Sequence, residues 1–133
     1  MLAALVAAGC GGGDNYGTAE PTPVTTETTA GQAGDAANGK TVYASAGCGG
    51  CHTFTPAGTD AEIGPSLDNL AADAETAGVP LEEYIRQSIV DPNAVVVEGY
   101  QSGVMPTTFG ETLSPEELNA LVAYLGSNGK GTE

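Results

Sequence analysis

The chain has 133 residues and a net charge of −14, with 17 acidic residues and only three Lys or Arg. Ile, Leu, Val and Phe make up 24 of the 133 residues, and an apolar fraction below roughly 20 % with high net charge is typical of disordered chains. These numbers exclude a large α/β enzyme, a bundle of membrane helices and a nucleic-acid-binding protein, which needs basic residues. Three cysteines are too few for a disulfide framework. We therefore expect that something outside the sequence supplies apolar volume to the fold.

The first ten residues are apolar and small, and they end at a cysteine. Residues 2–9 are Leu-Ala-Ala-Leu-Val-Ala-Ala-Gly, and Cys10 follows. The run is too short to span a bilayer, which takes about 20 apolar residues. It resembles the end of a bacterial lipoprotein signal, in which the cysteine becomes the lipidated N-terminus after cleavage. The resemblance implies that residues 1–10 are a signal-like segment with lipidation at Cys10. A free cysteine after an ordinary apolar N-terminus is the alternative.

Residues 11–33 have no apolar periodicity of 2 or 3.6. They begin with three glycines and contain six threonines and two prolines. Such a segment cannot bury enough surface to offset the entropy lost on ordering it. We expect a disordered tether that holds a domain away from a membrane surface, or a disordered tail without an anchoring role. The domain is expected over residues 34–129, with a short tail at 130–133.

Three helices are predicted from apolar residues at helical spacing. The first covers about Asp35–Ala46. The second covers Leu81–Val90 and stops at Asp91-Pro92, because the residue before a proline leaves the helical region. The third begins after Ser114 with a capping box and ends at about Gly126.

The remainder of the domain is expected to be mainly ordered loop. The segments Thr53–Asp60 and Pro92–Leu113 are rich in glycine and proline, and neither has the signature of a β-hairpin. A short helix over Ser66–Ala77 is compatible with the pattern. Arg86 is expected to pair with Glu82 or Glu83 on its own helix.

The run Cys48-Gly49-Gly50-Cys51-His52 carries the strongest chemical signal in the chain. Each cysteine can add its thiol to one of the two haem vinyl groups, and the following histidine is then held beneath the iron. This motif is typical of c-type haem attachment. A thioredoxin-like redox pair needs a βαβ context, and a zinc site usually takes four ligands from two separated pairs; neither pattern is visible. A disulfide between Cys48 and Cys51 is a further alternative, but it would not require His52. We predict one covalently attached haem c.

The inventory of possible axial ligands is short. His52 is the only histidine, so bis-histidine ligation within one chain is excluded, and Met1 and Met105 are the only methionines. Pro106 favours an extended backbone at Met105, which would fix the angle at which the thioether is presented. We predict His52 and Met105 as the axial ligands of iron; an ordinary loop or core methionine is the alternative. A Met/His pair raises the reduction potential and leaves no open position on the metal.

With these motifs, nearly the whole of residues 34–129 resembles a small class I cytochrome c. The resemblance implies an all-α fold with haem in the core and long ordered loops around it. It implies that the N- and C-terminal helices cross near Gly39, Tyr43, Tyr124 and Leu125. The matching stretches are Gly39–Tyr43, Cys48–His52, Gly64–Leu67, Gly103–Pro106 and Leu121–Leu125.

The same resemblance implies three further contacts with the cofactor. The carbonyl of Pro65 would accept a hydrogen bond from the axial histidine, and Leu67 would pack on the porphyrin. Tyr100 is placed in the haem pocket, where it could bond a propionate, or it is a solvent-facing loop tyrosine. Val95–Val97 are expected to line the pocket near its buried edge.

A narrower likeness covers Ser88–Asn93 and Glu98–Met105. It is to cytochrome c domains that serve, or are fused to, subunit II of haem–copper oxidases. Because the sole histidine is committed to iron and Met/His ligation leaves no open position on the metal, we predict an electron carrier and not an enzyme. Together with this likeness, we expect a monomer that passes single electrons from a quinol-oxidising complex or another donor toward a terminal oxidase. Lipidation at Cys10 would place it outside the cytoplasm, anchored to the outer, periplasmic face of a bacterial cytoplasmic membrane. The alternative is a haem-based gas or redox sensor, or a small haem enzyme, in which Met105 dissociates.

The charge of the domain constrains its partners. Residues 34–129 contain 13 acidic and two basic residues. Such a surface would be steered toward a basic partner, or would dock through an apolar collar around the haem; acidity that serves only solubility is the alternative. Because the apolar content is still marginal within the domain, we also expect the chain to be largely unfolded without haem.

Overall fold

The computed structural model describes residues 30–129, and within this range the chain is predominantly helical. The predicted all-α fold is confirmed. The signal-like segment with Cys10, most of the predicted tether and the predicted tail lie outside the described residues. The helices are α1 (Ala30–Ser45), α2 (Leu70–Ala77), α3 (Leu81–Val90), α4 (Phe109–Thr112) and α5 (Pro115–Asn128).

The first and last helices cross at a glycine, as predicted. Gly39 lies against the backbone of α5, and a side chain there would overlap the Ala120 carbonyl and approach Cβ of Tyr124 to 2.6 Å. The rings of Tyr43 and Tyr124 meet edge to face across the crossing, with centroids 6.1 Å apart. Because Gly39 has no side chain, the two helix backbones can approach closely and bring these aromatic rings together.

A two-residue antiparallel pair interrupts the predicted loop between Thr53 and Asp60. Strand β1 (Thr53–Phe54) pairs with β2 (Thr59–Asp60), and Gly58 makes the turn with a φ of 73°. The segment was predicted to be mainly ordered loop, and this short strand pairing departs from that prediction. The pairing depends on the Thr59 hydroxyl, which accepts from the Phe54 N–H at 3.1 Å and donates to the His52 carbonyl at 3.0 Å. A side-chain contact of this kind has no periodic signature in the sequence.

Helix α3 has the predicted bounds, whereas the other helices depart from the prediction. Helix α1 starts at Ala30, inside the segment predicted as a tether, because its alanines favour helix. The stretch predicted as a helix from Ser66 is a 3₁₀ turn at Leu67–Asn69 followed by α2. Helix α5 continues through Gly126 and ends at Asn128. Helix α4 forms within the segment predicted as a loop.

The polar contact of Arg86 also differs from the prediction. Its guanidinium donates to the Asn119 side-chain carbonyl at 2.8 Å, and so it connects α3 to α5 in place of pairing with a glutamate on its own helix. None of the helices within residues 30–129 is long and apolar enough to cross a lipid bilayer.

Candidate haem site

The cysteine–histidine motif forms a single tight turn directly after α1. Gly47 adopts a left-handed conformation with φ 76°, and a 3₁₀ turn then covers Cys48–Gly50. The Cys48 carbonyl accepts hydrogen bonds from the N–H groups of Cys51 at 3.2 Å and of His52 at 3.1 Å. Both cysteines are half-buried free thiols, and burial raises the pKa of the Cys48 thiol. The turn brings both thiols and the imidazole to one cavity.

The orientation of the His52 ring is fixed by a backbone carbonyl. Its Nδ1 lies 2.7 Å from the Pro65 carbonyl oxygen, so the hydrogen bond predicted for Pro65 is present. A carbonyl can only accept, so Nδ1 must carry the proton, and in neutral imidazole this leaves the Nε2 lone pair free for a metal. Such a bond also orients the ring and raises its basicity as a ligand.

The pocket around His52 is an open cavity of about 230 Å³. It is lined by residues of the motif, of α2, α3 and α5, and of the loop that precedes α4. Met105 is half-buried and lines this same cavity. All the site residues predicted within the domain line it, as does the expected Val95–Val97 segment: Cys48, Cys51, His52, Pro65, Leu67, Tyr100 and Met105.

The family model for cytochrome c matches residues 36–129. The chain belongs to the cytochrome c family. No curated protein gave a significant match to the sequence. Members of this family bind haem c covalently, so this cytochrome is a haem-binding electron-transfer protein, and its Cys48–His52 run has the pattern of the attachment site.

The described residues of this cytochrome fit haem better than the alternatives considered from the sequence. The cavity is lined mainly by apolar side chains and holds two free thiols beside an oriented imidazole. No group of three or more His, Cys, Asp or Glu side chains able to hold a metal ion occurs within residues 30–129, so zinc has no ligand set there. A buried hydroxyl of Ser88 lines the cavity and has no partner among the described residues.

The loop that carries Met105 is closed by a side-chain hydrogen bond. The Gly103 N–H donates to the Asn93 side-chain oxygen at 2.7 Å, and Gly103 itself has a φ of 80°. The bond ties the start of the loop to a point two residues before Met105. Sequence reasoning missed Asn93, because a contact between residues ten positions apart in an irregular segment has no pattern to identify it.

Two polar side chains of the cavity were also not predicted. Asp73 of α2 and Tyr84 of α3 both line it. Burial raises the pKa of Asp73. Burial also raises the pKa of Tyr84, and the neighbouring Asp73 charge adds to this shift. The helical period of α3 places Tyr84 on its buried face, but nothing in the sequence shows which face of α2 meets the cavity.

Proposed function

We propose that this cytochrome is a monohaem electron carrier in which His52 and Met105 bind the iron axially, and that it transfers single electrons in a respiratory chain toward a terminal oxidase. The observation that carries the proposal is that both side chains line one cavity. His52 is the only histidine of the chain, and Met105 is the only methionine besides Met1. When bound, haem supplies an iron that cycles between Fe(III) and Fe(II).

The protein groups favour electron transfer over binding of small molecules. His52 is oriented by Pro65 at 2.7 Å, and Met105 comes from a loop closed by Asn93. A Met/His pair would leave no open position on the iron, which disfavours oxygen or peroxide chemistry. Fixed ligands also change little in geometry between the two oxidation states, so the reorganisation that accompanies electron transfer stays small.

Met105→Leu tests the ligand assignment, since leucine keeps the apolar volume and removes the sulfur. We expect the oxidised protein to lose the thioether-to-iron charge-transfer band at the red end of its spectrum and its reduction potential to fall. Thr107→Ala is the matched control, because Thr107 is exposed two residues further along the same loop. An unchanged band and potential in Met105→Leu would contradict the assignment. A wild-type protein without the band that binds carbon monoxide would favour the sensor or enzyme alternative.

We propose that redox partners dock at the opening of the cavity. The support is an apolar rim: Ile63, Val96, Tyr100 and Val104 are 60, 41, 39 and 54 % exposed, and all four line the cavity. The excess of acidic over basic residues in the domain would steer a basic partner to this rim, and such steering weakens with added salt. Rates of electron transfer to an isolated terminal oxidase, measured against ionic strength, test both contributions. A steep fall with salt indicates charge steering, and a flat profile with a loss of rate in Val104→Ser indicates apolar contact.

We further propose that the protein is extracytoplasmic and anchored by lipid at Cys10. The support is the apolar run followed by a cysteine in the sequence, and cytochrome c domains are typically extracytoplasmic. Mass spectrometry of the protein from the membrane fraction should show diacylglycerol on Cys10, and Cys10→Ser should move the protein to the soluble fraction. An unmodified Cys10 in membrane-bound protein would exclude the anchor.

A further inference from the structure

One acidic side chain in the haem cavity is needed neither for attachment nor for iron ligation. Among residues 30–129, Asp73 is the only one that lines the cavity with a carboxylate, ammonium or guanidinium group. It lies within α2 and is half-buried. Lys40 and Arg86 are the basic residues between positions 30 and 129, and neither lines the cavity. Asp73 therefore has no cationic partner inside the haem site.

The elements packed against Asp73 also present no charge to it. From α3, the group that faces it is the buried phenol of Tyr84, whose pKa is raised by burial and then by Asp73 itself, so it remains neutral. The charged residues of α3 do not line the cavity, and α5 contributes only Leu121 and Leu125. These surroundings leave burial as the cause that raises the pKa of Asp73.

The acids nearest to Asp73 along the chain are directed elsewhere. Asp68, in the 3₁₀ turn before α2, accepts hydrogen bonds from the N–H of Thr55 at 2.8 Å and from its hydroxyl at 2.7 Å. Glu75 lies on the exposed side of α2. Neither lines the cavity, so Asp73 is the carboxyl of this helix that is placed to sense the charge of the iron.

We propose that Asp73 takes up a proton when the haem iron takes up an electron. Fe(III) carries one more positive charge than Fe(II), so an Asp73 carboxylate in the same largely apolar cavity stabilises the oxidised state. On reduction that stabilisation is lost, and the carboxylate becomes the stronger base. The balanced step is Fe(III) + Asp73–COO⁻ + e⁻ + H⁺ → Fe(II) + Asp73–COOH, with the electron from the donor protein and the proton from water. No bond to iron forms or breaks.

The reduction potential as a function of pH tests this coupling in the haem-loaded protein. With one proton per electron, each tenfold change in proton concentration is worth at most 59 mV. We expect the wild-type potential to fall with rising pH between the pKa values of Asp73 in the reduced and oxidised states, and to level off above them. Asp73→Asn should give a higher potential at neutral pH and a flat profile, because the amide neither ionises nor carries charge.

Glu75→Gln is the matched control, since it removes the same charge from the exposed side of the same helix. Its potential should keep the wild-type dependence on pH. If Asp73→Asn also keeps that dependence, the coupled group is a haem propionate or another acid and the proposal is overturned. A wild-type reduction potential that does not change with pH overturns the proposal as well.

A second measurement needs no variant and so does not depend on how well one folds. Infrared difference spectra of the wild-type protein, reduced minus oxidised, should show the carbonyl stretch of a protonated carboxyl group gained on reduction, and labelling of aspartate with ¹³C should shift that band. Absence of a labelled band overturns the proposal. The proposal depends on bound haem and not on Met105 or on a particular redox partner. A failed test of Met105 ligation would leave these measurements interpretable.

Discussion

His52 and Pro65 are joined by a 2.7 Å contact between the imidazole Nδ1 and the backbone carbonyl oxygen, and the residue before that proline packs on the same ring. A Cβ atom at Gly64 would lie 2.5 Å from Cε1 of His52 and 2.8 Å from Nδ1. The imidazole is therefore held by a hydrogen bond to Pro65 and by packing against the backbone of Gly64, which has no side chain. Contacts within the chain itself thus set the orientation of the ring.

Gly64→Ala should disturb this arrangement, because the added methyl group must displace the ring or the backbone. Overpacking of this kind costs about 1–3 kcal/mol. We expect a lower melting temperature for the haem-loaded protein, by roughly 4–8 °C for each kcal/mol, and a changed haem spectrum. Gly110→Ala serves as the control, since the nearest atom to a Cβ there is Cβ of Val90, at an ordinary contact distance of 3.4 Å. Equal melting temperatures for the two variants would show that the ring is not tightly held.

The two thiols should each carry one covalent bond to the cofactor. Cys51→Ala should retain haem through Cys48 alone, with a shifted absorption band because one vinyl group remains unsaturated. The double variant Cys48→Ala/Cys51→Ala should release all its haem into acidified organic solvent. Mass spectrometry after extraction distinguishes the variants, and haem that stays covalently bound to the double variant would refute the predicted attachment.

Alanine at two helix glycines should change stability in opposite directions. Gly39→Ala places a methyl group against the α5 backbone at Ala120, and we expect a loss of about 1–3 kcal/mol. Gly126→Ala adds a methyl group 3.6 Å from Cδ1 of Ile85, an ordinary contact. It should stabilise by about 0.5–1 kcal/mol, because alanine is favoured over glycine inside a helix. Denaturant unfolding of the haem-loaded proteins checks both signs, and a destabilised Gly126→Ala would mean that α3 and α5 pack more tightly than described.

The Asn93 side chain should determine how firmly the Met105 loop is held. Asn93→Ala removes the acceptor of the 2.7 Å bond from Gly103. If Met105 binds the iron, its charge-transfer band should then disappear at lower temperature than in the wild type. Asn93→Asp keeps an acceptor oxygen and, being charged, can accept a stronger bond, so the band should persist. Equal persistence in the alanine and aspartate variants would show that the loop does not need this bond.

The parts of the fold that could be predicted are those with local signals. Pro80 and the Asp91-Pro92 pair delimit α3, and Ser114 with Glu117 forms the predicted capping box. The end of α5 was misplaced because Gly126 packs favourably against α3 inside the helix. The antiparallel pair at Thr53–Asp60 was missed because it depends on tertiary hydrogen bonds of one threonine side chain.

The same distinction between local sequence signals and tertiary contacts applies to the residues of the site. The meeting of the motif residues and Met105 in one cavity could be predicted, because haem attachment requires cysteines and a histidine at fixed spacing and because the chain offers one methionine besides Met1. Asp73 and Asn93 were not predictable. The place of Asp73 in the cavity follows from the packing of a short helix, and that of Asn93 follows from a bond across an irregular loop.

One part of the core packs without contributing to the haem cavity. The aromatic cluster of Tyr43, Phe54 and Tyr124, with ring centroids 5.5 to 6.1 Å apart, does not line the cavity. It is completed by amino-acid side chains alone. Hydrogen bonds connect this cluster to the end of the motif, since the Thr59 hydroxyl bonds both the Tyr43 hydroxyl and the His52 carbonyl. The unfolding expected of the haem-free chain should therefore affect α2, α3 and the Met105 loop, which line the cavity, more than it affects this cluster.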